Sequence, residues 1–194
     1  MATALFEKQL KKGRVGELAF QKMALKHFDE VFDYSSDYER WKNVQGKGID
    51  FGVKMDSWEH EIKVDVKSNL YFSKYSNCYA FDIEYEKWHP SKKNMHNRVC
   101  EEGWIQDSKS NRIYHMEIIR ENNRWVATGN YLYYDLEEMR SFVYKEWDKS
   151  ETSWIRKNAY VGTKESDYAH LIPVRLTDER FKHLIRRIEI EEYK

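Results

Sequence analysis

In the stretch HEIKVDVKSN, residues 60–69, Ile62, Val64 and Val66 alternate with Glu61, Lys63, Asp65, Lys67 and Asn69. Read as a strand, this places Asp65 and Lys67 side by side on one face. A solvated edge would explain such a face, and so would an active site that needs an acid next to an ammonium. Asp50, in GKGIDFGV, stands on the preceding strand on the face of Gly48 and Gly52, where small neighbours leave room for a ligand. Glu17, in GRVGELAFQKMALKHF, shares a helical stripe with Phe20, Ala24 and Phe28. A carboxylate pointing toward apolar partners is costly unless something pairs with it. Gln21, one turn later, faces the same way.

If the helix packs on the hairpin, Glu17, Asp50 and Asp65 converge on one divalent cation. Oxygen ligands with open water positions suit Mg²⁺ or Mn²⁺. Lys67 beside them would orient or deprotonate a water and offset charge on a pentavalent phosphate. That is the chemistry of metal-assisted phosphodiester hydrolysis.

The set GE on a first helix, GID on a strand and DVKS on the next resembles the PD-(D/E)XK nuclease superfamily over residues 13–70. Asp50 matches the motif's Asp, Asp65 its second acid and Lys67 its Lys. Glu17 matches the acid often found on the family's first helix. Ile49 stands where Pro is common, and Gln21 has no counterpart. Ser68 after the Lys also recurs in the family. The segment EEGWIQDSKSNRIYHMEII is similar to the strand-and-helix tail of phage-encoded nucleases of this class. The resemblance implies an α/β fold with a restriction-endonuclease-like core, a mixed central sheet flanked by helices. It implies an endo- or exonuclease using Mg²⁺ or Mn²⁺, with Glu17, Asp50, Asp65 and Lys67 catalytic and the three acids holding the metal. DNA is favoured over RNA as substrate, and Lys47, Lys63, Ser68, Lys92 and Lys93 are the expected nucleic-acid contacts. The implied setting is the cytoplasm of a bacterial or phage-infected cell, and a homodimer is compatible with it. The other reading is a non-catalytic module that binds nucleic acid or protein on the same fold.

The elements that must position these residues follow from patterning. Residues Leu5–Phe28 read as a helix with a break near Gly13–Gly16, its apolar stripe including Leu18, Leu25 and Phe28. Strands are expected at Val31–Tyr34, Ile49–Lys54, Glu61–Val66 and Cys78–Glu86, with MDSWE turning the hairpin. KWHPSKKNMHNR reads as a loop or short helix. Strands at Arg112–Arg120 and Arg124–Thr128 flank the turn signal ENN. DLEEMRSFVYKEW, Asp135–Trp147, is an amphipathic helix with Asp at its cap and acids in its first turn. Lys149–Tyr168 reads as irregular, Leu171–Leu176 as a last strand and TDERFKHLIRRI as a closing helix. The order predicts one mixed α/β domain over residues 1–194, with the catalytic core near 13–70 and the rest completing the sheet and helices.

Composition narrows the classes. The 194 residues carry 33 basic and 33 acidic side chains, so any nucleic-acid contact needs a locally basic face. Seven Trp and fourteen Tyr predict a core built of rings as much as aliphatics. Two Pro and eight Gly argue against long linkers. MATALFEKQLKKGR lacks an apolar core of signal-peptide length, and no run approaches a membrane span. Two cysteines are too few for a disulfide framework and suggest a reducing compartment. Cys78, His89, His96 and Cys100 are zinc ligands by type, but their spacing matches no knuckle. Asp82 and Glu84 share a strand face and either extend the acidic site or face solvent. HPSKKNMHNR is a phosphate-contacting loop or an ordinary polar one. RFKHLIRR reads as a capped, solvated helix end.

Overall fold

The computed structural model describes residues 2–36, 43–44, 47–70, 78–88, 98–102, 104–149, 152–154, 160–164, 167–175 and 179–188. A 26-residue helix, α1 (Ala2–His27), leads into three antiparallel strands: β1 (Glu30–Asp33), β2 (Phe51–Lys54) and β3 (Ile62–Leu70). The chain then makes β4 (Cys78–Trp88), β5 (Arg98–Glu102) and a one-turn helix, α2 (Trp104–Asp107). It returns as β6 (Arg112–Glu121), parallel to β3, and turns into β7 (Arg124–Asp135) and α3 (Leu136–Trp147). Last come β8 (Tyr160–Lys164), β9 (Asp167–Arg175), a 3₁₀ turn at Glu179–Phe181 and β10 (Arg186–Ile188).

These strands form a six-stranded mixed sheet, β1-β2-β3-β6-β7-β10, and a four-stranded antiparallel sheet, β5-β4-β9-β8. The parallel β3–β6 pair needs a long crossover, and β4, β5 and α2 are carried in it. The second sheet therefore comes from two excursions away from the first, one before β6 and one before β10.

The six-stranded sheet lies between helices, an α/β arrangement. Phe20, Met23 and Ala24 of α1 pack on Phe51, Val53, Val64, Val66, Tyr114 and Met116. On the opposite face Leu136, Met139 and Val143 of α3 pack with Ile113, Leu132, Tyr134 and Phe181. β6, in the middle, is buried without interruption from Ile113 to Ile118, as a strand covered on both sides must be. The expected aromatic character is visible here: the Phe20 ring lies 4.9 Å from both Phe51 and Tyr114, and Tyr114 stacks on Tyr133 at 5.0 Å.

Several sequence expectations need correction. α1 runs through Gly13 and Gly16 without a break, because Gly16 serves packing rather than chain reversal. A Cβ on Gly16 would lie 2.1 Å from the Ser68 hydroxyl and 3.2 Å from its Cβ. The missing side chain lets helix and strand approach, and Ser68 Oγ donates to the Gly13 carbonyl at 3.1 Å. The buried stripe is Phe20, Met23 and Ala24, whereas Leu18 and Leu25 are exposed. Part of the stretch expected to be irregular, Lys149–Tyr168, forms β8 and the start of β9. Glu179–Ile188, the described part of TDERFKHLIRRI, makes no closing α-helix: Phe181 and Leu184 bury under α3, and Arg186–Ile188 pair with Tyr131–Tyr133 of β7. The ENN turn is as expected. Asn122 and Asn123 have φ of 47° and 63°, the two left-handed positions of a type I′ hairpin. Asp135 caps α3, accepting from the amides of Glu137 and Glu138.

Candidate active site

β2 and β3 pair from Phe51↔Val64 onward, but β3 continues past the end of that ladder. Asp50 stands where the two strands part. Its amide donates to Val64 O at 2.8 Å and its carbonyl accepts from Tyr34 N at 2.9 Å, so its backbone is held between β1 and β3. Its side chain continues the ladder, with Oδ2 accepting the Val66 amide at 2.8 Å. Without it that amide would lack a β2 partner.

Val64, Val66 and Ser68 face α1, so Asp65 and Lys67 project from the other side, as the alternation predicts. Lys63, at the start of this face, is exposed, whereas Asp65 is only 2% exposed. Lys67 Nζ lies 2.7 Å from Asp65 Oδ1. Gly48, with φ of 69°, brings the chain over Asp65; a Cβ there would lie 3.7 Å from Asp65 Oδ2 and 3.0 Å from Ser108 Oγ. Ser108 belongs to the α2–β6 loop, which is tied down twice. Lys109 N donates to Lys47 O at 2.8 Å, and Arg140 of α3 donates to the carbonyls of Ile105, Gln106 and Ser108.

Electrostatics gather the predicted residues around Asp50. Burial, then the nearby Asp65 carboxylate, push the Asp50 carboxyl up to about 7. The Val66 amide and Lys67 pull the other way, and Glu17 adds to the rise. Glu17 acts from α1, where its carboxylate accepts from Arg14 Nη1 at 2.9 Å. The same nitrogen donates to Ser35 Oγ at 2.9 Å, and Ser35 donates to Asp33, which also takes Gln21 Nε2. Glu17 and Gln21 therefore both have the polar partners that their place on α1 demands.

Two buried groups on β6 join this face and escaped sequence reasoning. His115 pairs in register with Lys67 and is fully buried. Burial, reinforced by Lys67, lowers its imidazole to about 3, so it is neutral. Its Nε2 lies 3.3 Å from the Tyr134 hydroxyl. Glu117, two residues on, accepts from Thr128 Oγ1 at 2.7 Å and Asn130 Nδ2 at 2.8 Å across a bulge that holds Gly129 at φ of 91°. The available signal was RIYHMEII, a run apolar on both faces in which any polar residue must be satisfied internally.

The other expected contacts divide. Lys47 and Lys63 are exposed near the site, and Ser68 faces α1 with its hydroxyl on Gly13. Lys92, Lys93, His89 and His96 lie outside the described residues, as do the side chains of Asp82, Glu84, Cys78 and Cys100. The backbone register sets the two cysteines apart: Cys100 pairs with Glu86, eight positions along β4 from Cys78.

Among the described residues, no group of three or more His, Cys, Asp and Glu side chains is arranged to hold a metal ion. Asp50 and Asp65 are the two oxygen donors whose mutual repulsion a cation would relieve. Their chemistry suits a hard cation such as Mg²⁺ or Mn²⁺. Comparisons of this chain with protein-family models, with curated proteins and with solved structures return no match. No helix among the described residues is long and apolar enough to cross a membrane.

Proposed function

We propose that the protein is a metal-dependent nuclease with a restriction-endonuclease-like core, Asp50, Asp65 and Lys67 forming its centre and Glu17 adding negative charge from α1. The observation that carries this reading is the meeting of two carboxylates and an ammonium where β2 parts from β3. Burial and Asp65 hold the Asp50 carboxyl near 7, and Lys67 lies 2.7 Å from Asp65. The element order supports it too: a helix, an antiparallel meander carrying the motif, then a strand parallel to β3. DNA is the substrate that the motif resemblance favours.

In this reading Asp50 and Asp65 hold the cation, with Glu17 as the third acid. A bound Mg²⁺ or Mn²⁺ supplies Lewis-acid stabilisation of developing phosphate charge. Lys67, held by Asp65 and backed by a neutral His115, keeps one positive charge at the reacting phosphate and orients the attacking water. The Val66 amide fixes the Asp50 carboxylate.

The test is incubation with labelled duplex DNA, single strands, RNA and branched junctions, in EDTA, Mg²⁺ or Mn²⁺, alongside Asp65→Asn. Cleavage by the wild type that needs the divalent ion and vanishes in Asp65→Asn is the expected result. Equal cleavage by both proteins removes Asp65 from the centre, and undiminished cleavage in EDTA removes the cation.

A binding module without turnover is the second reading. It is favoured by the pairing of Glu17 with Arg14 and Asp65 with Lys67, which already neutralises two of the three acids. It predicts nucleic-acid or protein binding that Asp65→Asn leaves intact, and no cleavage in any metal.

A further inference from the structure

Beyond the carboxylates, the same face of the sheet carries a cleft. α1 covers one side of β1–β3, while Phe32, Gly52 and Lys63 form a row across the other, paired in register. Asn111 extends the row: its amide donates to Lys63 O and its side chain accepts from Lys63 N. An open cleft of about 610 Å³ lies here, walled also by Lys54 and Lys109. That volume is in the range of small-ligand sites. Asp65 is two residues beyond Lys63 on the same strand face, roughly 7 Å along β3.

The floor has a feature that the sheet does not require. Phe32 is 38% exposed on the edge strand, and its ring lies parallel to Tyr34, with centroids 6.5 Å apart and planes within 8°. Tyr34 is itself fixed, donating to Glu61 at 3.0 Å. Gly52 is needed beneath them, because a Cβ there would meet the Glu61 carboxylate at 2.6 Å and the Tyr34 hydroxyl at 3.1 Å. The result is an aromatic ledge on a rigid support.

The charges around the ledge sort into occupied and available. Three acids also line the cleft: Glu61 is held by Tyr34, Glu30 lies 3.7 Å from Lys54, and Glu59 stands exposed on the rim beside His60. Among the described residues no carboxylate is ion-paired with Lys63 or Lys109, and both lysines are exposed. A flat apolar ring on the edge strand, with two unpaired ammonium groups to one side of it and the nearer two strands away, matches a nucleotide, with the base on the ring and phosphates on the lysines. A base stacked inside a duplex has no face to offer, so the partner must be unpaired.

We propose that this cleft is a subsite for an unpaired nucleotide of the substrate strand, with Phe32 stacking its base and Lys63 and Lys109 contacting its phosphates. The assignment rests on the nuclease reading for the word substrate, while binding is measurable without turnover. It makes the protein selective for single strands, frayed ends or branched structures over continuous duplex.

The test uses the whole chain in Ca²⁺, with a single-stranded oligonucleotide carrying 2-aminopurine and the same strand in a duplex. Wild type should quench the single-stranded probe. Phe32→Leu, which keeps apolar bulk without the ring, should lose the quenching and about tenfold in single-strand affinity, with duplex affinity held. Phe32→Trp should restore both. The Lys63→Ala/Lys109→Ala double variant should reduce the slope of log affinity against log salt by about 1.4 for a single strand. Equal quenching and affinity in wild type and Phe32→Leu overturn the subsite, as does an equal loss for duplex and single strand. Mg²⁺-dependent cleavage is scored separately. Ring-dependent binding without cleavage leaves the subsite standing and removes the nuclease; cleavage with no dependence on Phe32 does the reverse.

Discussion

At the scale of single residues, the two perturbed groups beside Lys67 have opposite signs. Asp50 keeps its proton in the folded protein up to about pH 7, while the unfolded chain releases it near 4. Between those values the native state holds the extra proton, so stability falls as pH rises. His115 stays neutral in the folded protein down to about pH 3, while the unfolded chain takes up a proton near 6.5. In that window the unfolded state holds the extra proton, so stability rises with pH. From about pH 4 to 6.5 the two terms oppose each other, each worth up to ~1.4 kcal/mol per pH unit. His115→Gln in metal-free protein should therefore lose stability on going from pH 4 to 6.5 relative to wild type, and Asp50→Asn should gain it. Urea titrations at several pH values read the slopes, and parallel curves for all three proteins would refute the prediction. Lys67→Ala separates chemistry from structure at the same scale. The carboxylates remain, so Mn²⁺ binding by calorimetry should persist while turnover falls on the order of 10²-fold or more. Equal loss of both would make Lys67 a structural partner of Asp65.

At the scale of elements, the seam between α1 and β3 decides whether Glu17 reaches Asp50 at all. Gly16 permits that approach, with its missing Cβ 2.1 Å from Ser68 Oγ. Gly16→Ala should gain a little helix propensity and lose more to overpacking, a net destabilisation of roughly 1–3 kcal/mol. Removing the hydroxyl in Ser68→Ala takes away the nearest clash but leaves the Ser68 Cβ at 3.2 Å. A double-mutant cycle by chemical denaturation should therefore show partial rescue, with the double variant less destabilised than the sum of the singles. Strict additivity would mean that the two elements do not meet there. At the other end of the sheet, Asp135→Ala removes the acceptor for two amides at the start of α3 and should cost about 1 kcal/mol, read by thermal unfolding.

At the scale of the whole molecule, 33 basic and 33 acidic residues leave no net attraction for a polyanion. Binding must come from a local face, and the acids of the site repel phosphate until a cation offsets them. Nucleic-acid affinity should thus be weak without a divalent ion, stronger in Ca²⁺ and steeply salt-dependent. Each phosphate contact removed, with Lys47 or the Lys92/Lys93 pair substituted by Ala, should reduce the log–log salt slope by about 0.7–0.9. A flat slope for the Ca²⁺-loaded wild type would end the nucleic-acid reading. An unchanged slope in Lys92→Ala/Lys93→Ala would remove these two lysines from the binding face.

Local patterning was enough for much of this architecture. Alternation along residues 60–69 placed Asp65 and Lys67 on one face, the paired Asn residues set the β6–β7 turn, and Asp135 marked the start of α3. These are short-range effects, settled by side-chain direction, φ preference and capping within a few residues. Tertiary structure decided what depends on distant partners. Glycines that look like helix breaks became the contact surface of α1, because Ser68 lies beneath them. The described part of the C-terminal segment with helical spacing became a 3₁₀ turn and a three-residue strand, because α3 offered a core for Phe181 and Leu184 and β7 a sheet edge for Arg186–Ile188. His115 came to stand beside Lys67 only through the parallel β3–β6 pairing, which joins residues 48 positions apart in the chain. Spacing along one strand was enough to set the direction of Asp65 and Lys67. The burial of Asp50 and His115, and hence their shifted protonation, was set by the strands and helices that closed over them, since desolvation depends on the surroundings that only the folded chain supplies.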